Sequence, residues 1–190
     1  MPWIIDYDAV LEQTRGQKLR SLYPMSGAFG FAEGAPTHVR GWIGPDDPTI
    51  RPAARAFVRG VPAPYEQTLT DWFIRTWQDH LPGKMWLLPM SHWHYELNFG
   101  SCPWLAATLD RIGLDPGQLQ DRNNGSAIEF APDEHDRARL IIHRLLEMLL
   151  GSDFAILFPE RDTLCTVHHH KQLWWVTANP TFADALDTIT

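Results

Sequence analysis

Three side chains with lone pairs, His92, His94 and Glu96, occupy alternate positions in the stretch SHWHYEL, residues 91 to 97. Trp93, Tyr95 and Leu97 fill the positions between them. On a β-strand, residues two apart share a face. Two imidazoles and a carboxylate on one face offer N, N and O donors to zinc or another borderline divalent metal. Three protein ligands with a fourth position open is the catalytic arrangement. The plain alternative is the polar outer face of a half-exposed strand. A second histidine group lies in VHHHK, residues 167 to 171. On a strand, His168 and His170 share a face and His169 takes the other. If the two strands are neighbours, His92, His94, Glu96, His168 and His170 converge as a candidate metal site. A metal held there would activate water for hydrolysis, with Glu96 as ligand or as base.

The stretch GSCPWLAATL, residues 100 to 109, places Cys102 at the start of a helical pattern. A thiol at a helix N-terminus feels the positive end of the dipole, which favours thiolate. The segment resembles the GSCWAFA motif around the nucleophile of papain-like cysteine peptidases, with Pro103 inserted. That resemblance implies Cys102 as nucleophile, a histidine from the 168 to 170 group such as His168 as base, and Asn179 to orient it. The chain order of the three follows the family's order. Pro103 departs from the motif and removes a backbone N–H beside the thiol. The plain alternative is a small apolar cysteine at a helix end. Cys165, inside an alternating run, is expected to pack inward.

Other histidines carry less. His143 sits one helical turn from both Arg139 and Glu147, as on a solvated face, and His135 lies in an acidic first turn and is expected to be exposed. Asp133, Glu134 and Asp136 match the positive end of a helix dipole without any chemistry.

These side chains sit in a chain of 190 residues, 44% apolar and 21% charged, enough for one domain with a sizeable core. Nine Trp and nine Phe predict a core dominated by rings. The formal charge of −7, with no run of Lys or Arg, argues against nucleic acid and anionic membranes as partners. A protein partner or a homo-oligomer is compatible with it. The longest apolar run, RLIIHRLLEMLLG, is broken by His143, Arg144 and Glu147, so no membrane span is expected. The first ten residues lack the features of a secretory signal, which predicts a cytoplasmic protein with free thiols.

Apolar spacing predicts a helix over residues 6 to 22. Seven Pro and six Gly then break up residues 24 to 66, leaving room for a short strand around His38 to Ile43 and a short helix after Pro52. A helix is predicted over 68 to 81, with Thr68 and Asp71 at capping-box spacing. MWLLPM reads as a strand with Pro89 at a bulge or on an edge, followed by HWHYEL as a strand. A helix opens at Pro103, AIEF is a strand, and the stretch from Pro132 to Gly151 is the best-defined helix. FAILF, LCTVHH and LWWVT close the chain as strands, the last two as a hairpin. Segregated helices and strands predict a single α+β domain over residues 1 to 190: a mostly antiparallel sheet, helices on one face, and room for one parallel pair.

Three functional expectations follow. The first is a non-enzymatic domain that binds a partner or self-associates through a Trp-rich sheet face, Trp174 and Trp175 pointing to opposite sides of the last strand. The second is a metal-binding protein or metal-dependent hydrolase using the histidine cluster. The third is a hydrolase with Cys102 as nucleophile.

Overall fold

The computed structural model describes residues 1–45, 56–159 and 161–190. The chain folds as an α+β unit around an eight-stranded sheet, with a separate two-stranded sheet. The first strand, β1 (Trp3–Ile5), leads into helix α1 (Tyr7–Thr14) and the hairpin β2 (Leu19–Ser21) and β3 (Phe29–Phe31). The predicted helix over 6 to 22 therefore ends early. After Thr14 the chain turns through Arg15 and Gly16, and Leu19 enters a strand.

Strands β4 (His38–Ile43) and β5 (Ala56–Gly60) flank residues 46 to 55, so the start of the expected short helix after Pro52 lies outside the described residues, which resume as strand at Ala56. Helix α2 (Tyr65–His80) begins three residues before the expected capping box. Asp71 then lies inside the helix and pairs with Arg139 instead. Strand β6 (Met85–Pro89) follows, then α3 (Trp93–Tyr95), α4 (Trp104–Ile112), α5 (Gly117–Gln120), β7 (Ala127–Phe130) and α6 (His135–Met148). The chain closes with β8 (Phe154–Leu157), β9 (Thr163–His168), β10 (Gln172–Thr177) and α7 (Pro180–Leu186).

The strand order is β1-β7-β6-β8-β9-β10-β4-β5. Every pair in it is antiparallel except β4–β5. One parallel pair is present, though not beside the helix between β7 and β8: those two strands run parallel but are separated by β6. Pro89 ends a central strand, not an edge one: Met90 donates the next bond to β8 and the pairing with β7 has ended at Leu87, so the missing N–H of Pro89 costs nothing.

Helices α2, α4, α6 and α7 bury one face of the sheet. Trp175 is the hub, with Phe73, Phe158, Trp42 and Phe182 ring centroids 5.5 to 5.9 Å away. The other face is covered along β6, β8 and β9 by α1 and the β2–β3 hairpin, through Val10, Leu19 and Phe29 against Trp86, Leu88, Leu157 and Leu164. Helices thus cover mainly one face, and α1 takes part of the second.

Trp174 does point away from Trp175, and its ring lies on Gly41 of the neighbouring strand. The other tryptophans are mostly core: Trp42, Trp72, Trp77, Trp86, Trp93 and Trp175 are buried, and Trp3 is exposed. Cys165 packs inward as expected, and burial pushes its thiol well above the usual range. His135 is not exposed: its ring meets Trp77 edge-on at 4.5 Å, and burial lowers its pKa. His143 likewise approaches Thr70 of α2 instead of facing water alone.

Close approach fixes two glycines. A Cβ on Gly27 would lie 2.2 Å from the carbonyl oxygen of Pro89, and one on Gly125 would lie 2.2 Å from the amide of Gly27. Three backbone segments meet here with no room for a side chain, and Gly27 donates its N–H to Pro89 at 3.1 Å.

Gly27→Ala is expected to destabilise the fold by about 2 to 3 kcal/mol, because backbone must move to admit the methyl group. Gly16→Ala, where nothing lies within 4 Å of the added Cβ, is expected to change stability by less than about 1 kcal/mol and to favour the fold. Urea midpoints of the two variants check both outcomes.

Candidate metal centre

The segment that raised the metal question is helical, not extended. Trp93–Tyr95 forms a helical turn that widens into a π-helical turn over Glu96–Gly100. His92 is its cap: the backbone is extended there, and Nδ1 accepts from the Tyr95 amide at 3.1 Å. Tertiary contacts set the choice. The Trp93 indole is fully buried and donates to the Ser126 carbonyl at 2.6 Å, and Leu97, one turn on, is buried beside it. Trp93 and Leu97 fit a helix as well as they fit an alternating strand, and burial of that pair selects the helix.

Residues two apart on a helix face opposite sides, so the expected common face for His92, His94 and Glu96 does not form. The rings of His92 and His94 remain neighbours at 6.3 Å on the surface. His94 donates Nδ1–H to the Gln120 carbonyl at 3.1 Å. Glu96 points the other way and is fully buried. Its Oε1 accepts from Ser91 Oγ, and its Oε2 accepts from Ser101 Oγ at 2.7 Å and Ser152 Oγ at 2.9 Å. A carboxylate enclosed by three hydroxyls has no edge left for a metal or a substrate. Gly100 belongs to this enclosure, since a Cβ there would stand 2.7 Å from Glu96 Oε2.

Nor are the two histidine segments strand neighbours. The HWHYEL segment leaves β6, and β8 lies between β6 and β9. The ends of these three strands nevertheless meet. Pro89 pairs with Phe154 and Phe154 with Val167, so one step further places Met90, Asp153 and His168 side by side. Met90 N–H donates to the Asp153 carbonyl at 2.9 Å.

Here the three histidines of VHHHK come together. His168 ends β9, and His169, His170 and Lys171 form the turn to β10. Strand alternation would have sent His169 away from the other two. The turn cancels it: Lys171 adopts a left-handed φ of 58°, and the chain curls so that the rings gather. Ring centroids are 4.3 Å apart for His168–His169 and for His169–His170, and 5.1 Å for His168–His170. One ligand nitrogen from each ring can be chosen so that all lie within 4.8 Å of one another. His169, excluded by the strand reading, is thus a member of the cluster.

Asp153 organises the group. Its Oδ1 accepts both the backbone N–H of His169 at 3.1 Å and the Nδ1–H of the same ring at 2.8 Å. Its Oδ2 lies 3.8 Å from His168 Nε2. These bonds set tautomers. With Nδ1–H given to Asp153, His169 carries its lone pair on Nε2. His168 Nδ1 accepts from the His170 amide at 3.2 Å, so its proton sits on Nε2, facing Asp153. The side chains of His168, His169 and Asp153 are each between 22% and 25% exposed, within reach of a small ion.

The turn is tied to the helical layer at its far end. Lys171 Nζ pairs with Glu66 in the first turn of α2, and its carbonyl accepts from Gly44 N–H at 3.0 Å. The hydrogen bond from Lys171, more than any other influence, holds the Glu66 carboxyl below its ordinary range, against the opposing effect of partial burial.

The cysteine constellation is not assembled. Cys102 is exposed, at the foot of α4. Asn179 caps α7 by accepting from the Phe182 amide at 3.2 Å. It follows Thr177 at the end of β10 opposite to Gln172, the residue that pairs with His168. The length of β10 therefore separates Asn179 from the histidine turn.

Since Glu66 binds its proton less readily folded than unfolded, its contribution to stability is present above the unfolded value of 4.5 and is lost as pH falls through the lower folded value. Glu66→Gln is expected to flatten the loss of stability on acidification from about pH 6 to about pH 3 relative to wild type, measured as urea midpoints across that range.

Comparison of the chain with protein-family models, with curated proteins and with solved structures finds no match.

Proposed function

We propose that this protein binds a divalent transition metal, zinc foremost, at the β9–β10 turn through His168, His169 and His170. The observation that carries this reading is the convergence of three imidazole nitrogens within 4.8 Å on a turn whose regular alternation would have dispersed them. Imidazole suits zinc and its neighbours in the first transition row. A carboxylate receiving Nδ1–H of a ligating histidine is the usual support for such a ligand, fixing the ring and raising its basicity. Asp153 stands in that relation to His169.

The geometry also ranks the ligands. Tetrahedral zinc with bonds of about 2.1 Å needs nitrogens about 3.4 Å apart, so the cluster closes slightly on binding. His169 offers Nε2 without losing a hydrogen bond. His168 ligates only by giving up the 3.2 Å bond from the His170 amide or by moving its proton. Of these two rings, His169 ligates at the smaller cost. Glu96, His92 and His94 take no part. Glu96 is enclosed, and the two surface histidines belong to a different loop.

The association reading has less of a tryptophan face to rest on, because Trp42, Trp86 and Trp175 are interior, Trp174 is half-buried and Trp3 is exposed. Besides Trp3, exposed apolar side chains include Leu22, Tyr23, Met25, Tyr95 and Phe99. A cavity of about 280 Å³ is lined by Tyr23, Met25 and His92. These side chains have the chemistry of a contact surface, but nothing beside them selects an occupant.

Protein stripped with chelator and titrated with zinc is expected to take up one equivalent. His169→Ala should weaken binding at least about tenfold and Asp153→Asn by about 10- to 100-fold, with His92→Ala and His94→Ala unchanged. Uptake unaffected by His169→Ala, or lost equally in His94→Ala, would place the metal elsewhere and overturn the proposal.

A further inference from the structure

The strongest polar feature that the metal reading leaves unused is the buried Glu96 with its three serines. We infer that Glu96 is a positioning residue for the histidine turn: through Ser152 it fixes Asp153, and through Asp153 it fixes the tautomer of His169. The inference rests on the metal reading only for its consequence, since the positioning itself concerns this chain's own hydrogen bonds.

The connection is short and each step is a hydrogen bond or a peptide bond. Glu96 Oε2 accepts from Ser152 Oγ at 2.9 Å. Asp153 is the next residue. Its carbonyl is held by the Met90 amide at 2.9 Å, and Met90 precedes Ser91, which donates to the other oxygen of Glu96. The Ser152–Asp153 dipeptide is therefore held at Ser152 by Glu96 and at the Asp153 carbonyl by a backbone bond that does not depend on the Ser91 hydroxyl. Asp153 then has its Oδ1 on the amide and Nδ1–H of His169 and its Oδ2 toward His168. With the backbone of Asp153 pinned, its side chain has little latitude, and the proton of His169 stays on Nδ1.

Glu96 is suited to this role by burial. A fully buried carboxylate is costly unless its donors are in place, so it holds those donors firmly. Ser91, Ser101 and Ser152 lie on three separate connections, after β6, before α4 and before β8. The π-helical turn at Glu96–Gly100 and the bare Cα of Gly100 leave space for the carboxylate among them. π-turns of this kind recur where a helix is distorted to aim a functional group.

Two serine variants separate this arrangement from a merely structural carboxylate. Removing Ser91 takes a hydrogen bond from Glu96 without touching the step to Asp153. Removing Ser152 cuts the step itself. A structural role predicts similar effects of the two on stability alone. A positioning role predicts that only the second reaches His169.

The experiment is long-range proton–nitrogen correlation NMR on histidine-labelled protein, which reads the tautomer of His169 directly, followed by zinc titration of the same samples. Wild type is expected to show His169 as the Nδ1–H form. Ser152→Ala and Glu96→Gln should convert it to a mixture of the two tautomers and weaken zinc binding about tenfold. Ser91→Ala should leave the tautomer unchanged, and Ser152→Thr, which keeps the hydroxyl, should restore it. If Glu96→Gln fails to fold, the serine variants decide. An unchanged His169 tautomer in Ser152→Ala overturns the inference, whatever the metal does. A tautomer that responds in a protein taking up no zinc upholds the positioning and removes the metal reading alone.

Discussion

A carboxylate withdrawn wholly from water must be surrounded by donors, and Glu96 is where this protein meets that demand. Leaving such a charge without partners would cost several kcal/mol, more than most single contacts contribute. Three hydroxyls from three connections satisfy it, so those connections cannot move independently. The exit of β6, the approach to α4 and the entry to β8 are thereby fixed relative to one another at one end of the sheet. The local oddities of the region follow from the same demand. The helix widens into a π-turn, and Gly100 leaves its Cβ position empty beside the carboxylate.

The sheet supplies the frame on which this end is built. Trp175 and the rings around it lock α2, α7 and the sheet together on one face. Val10 and the small hairpin close the other face along the central strands. Because β6, β8 and β9 are successive and antiparallel, their ends at Met90, Asp153 and His168 are neighbours by register alone. Polar chemistry collects there because the ladder ends and hydrogen-bonding groups need other partners.

The histidine turn is the chemical outcome. Three consecutive residues on a strand cannot share a face, yet a turn frees them from alternation. The left-handed residue that makes this turn, Lys171, is also the one whose side chain reaches Glu66 on α2. An L-residue other than glycine adopts that conformation at some cost, and its ion pair and carbonyl contact help to offset it. Asp153 then orients the His169 ring by accepting a hydrogen bond from its Nδ1–H, and its other oxygen lies 3.8 Å from His168 Nε2.

The sequence alone determined the elements with strong periodicity and clear ends. The helix over residues 135 to 148, the strands around residues 85 to 89, 127 to 130 and 154 to 157, the β9–β10 hairpin and the α+β class were all legible, because apolar spacing and Pro or Gly punctuation act locally. The two histidine groups were legible as residues but not as a site. For HWHYEL, the spacing of Trp93 and Leu97 suits a helix and a strand equally, and only the pocket that receives the Trp93 indole decided between them. The buried state of Glu96 depended on serines far along the chain, at Ser152 above all, which no local pattern could supply. For HHH, the register of three strand ends and the left-handed Lys171 decided that the rings of His168, His169 and His170 gather, with Asp153 beside the first two. Local sequence fixes which way a segment prefers to run. Which donors meet which acceptor is a matter of long-range packing, and this candidate site is made of such meetings.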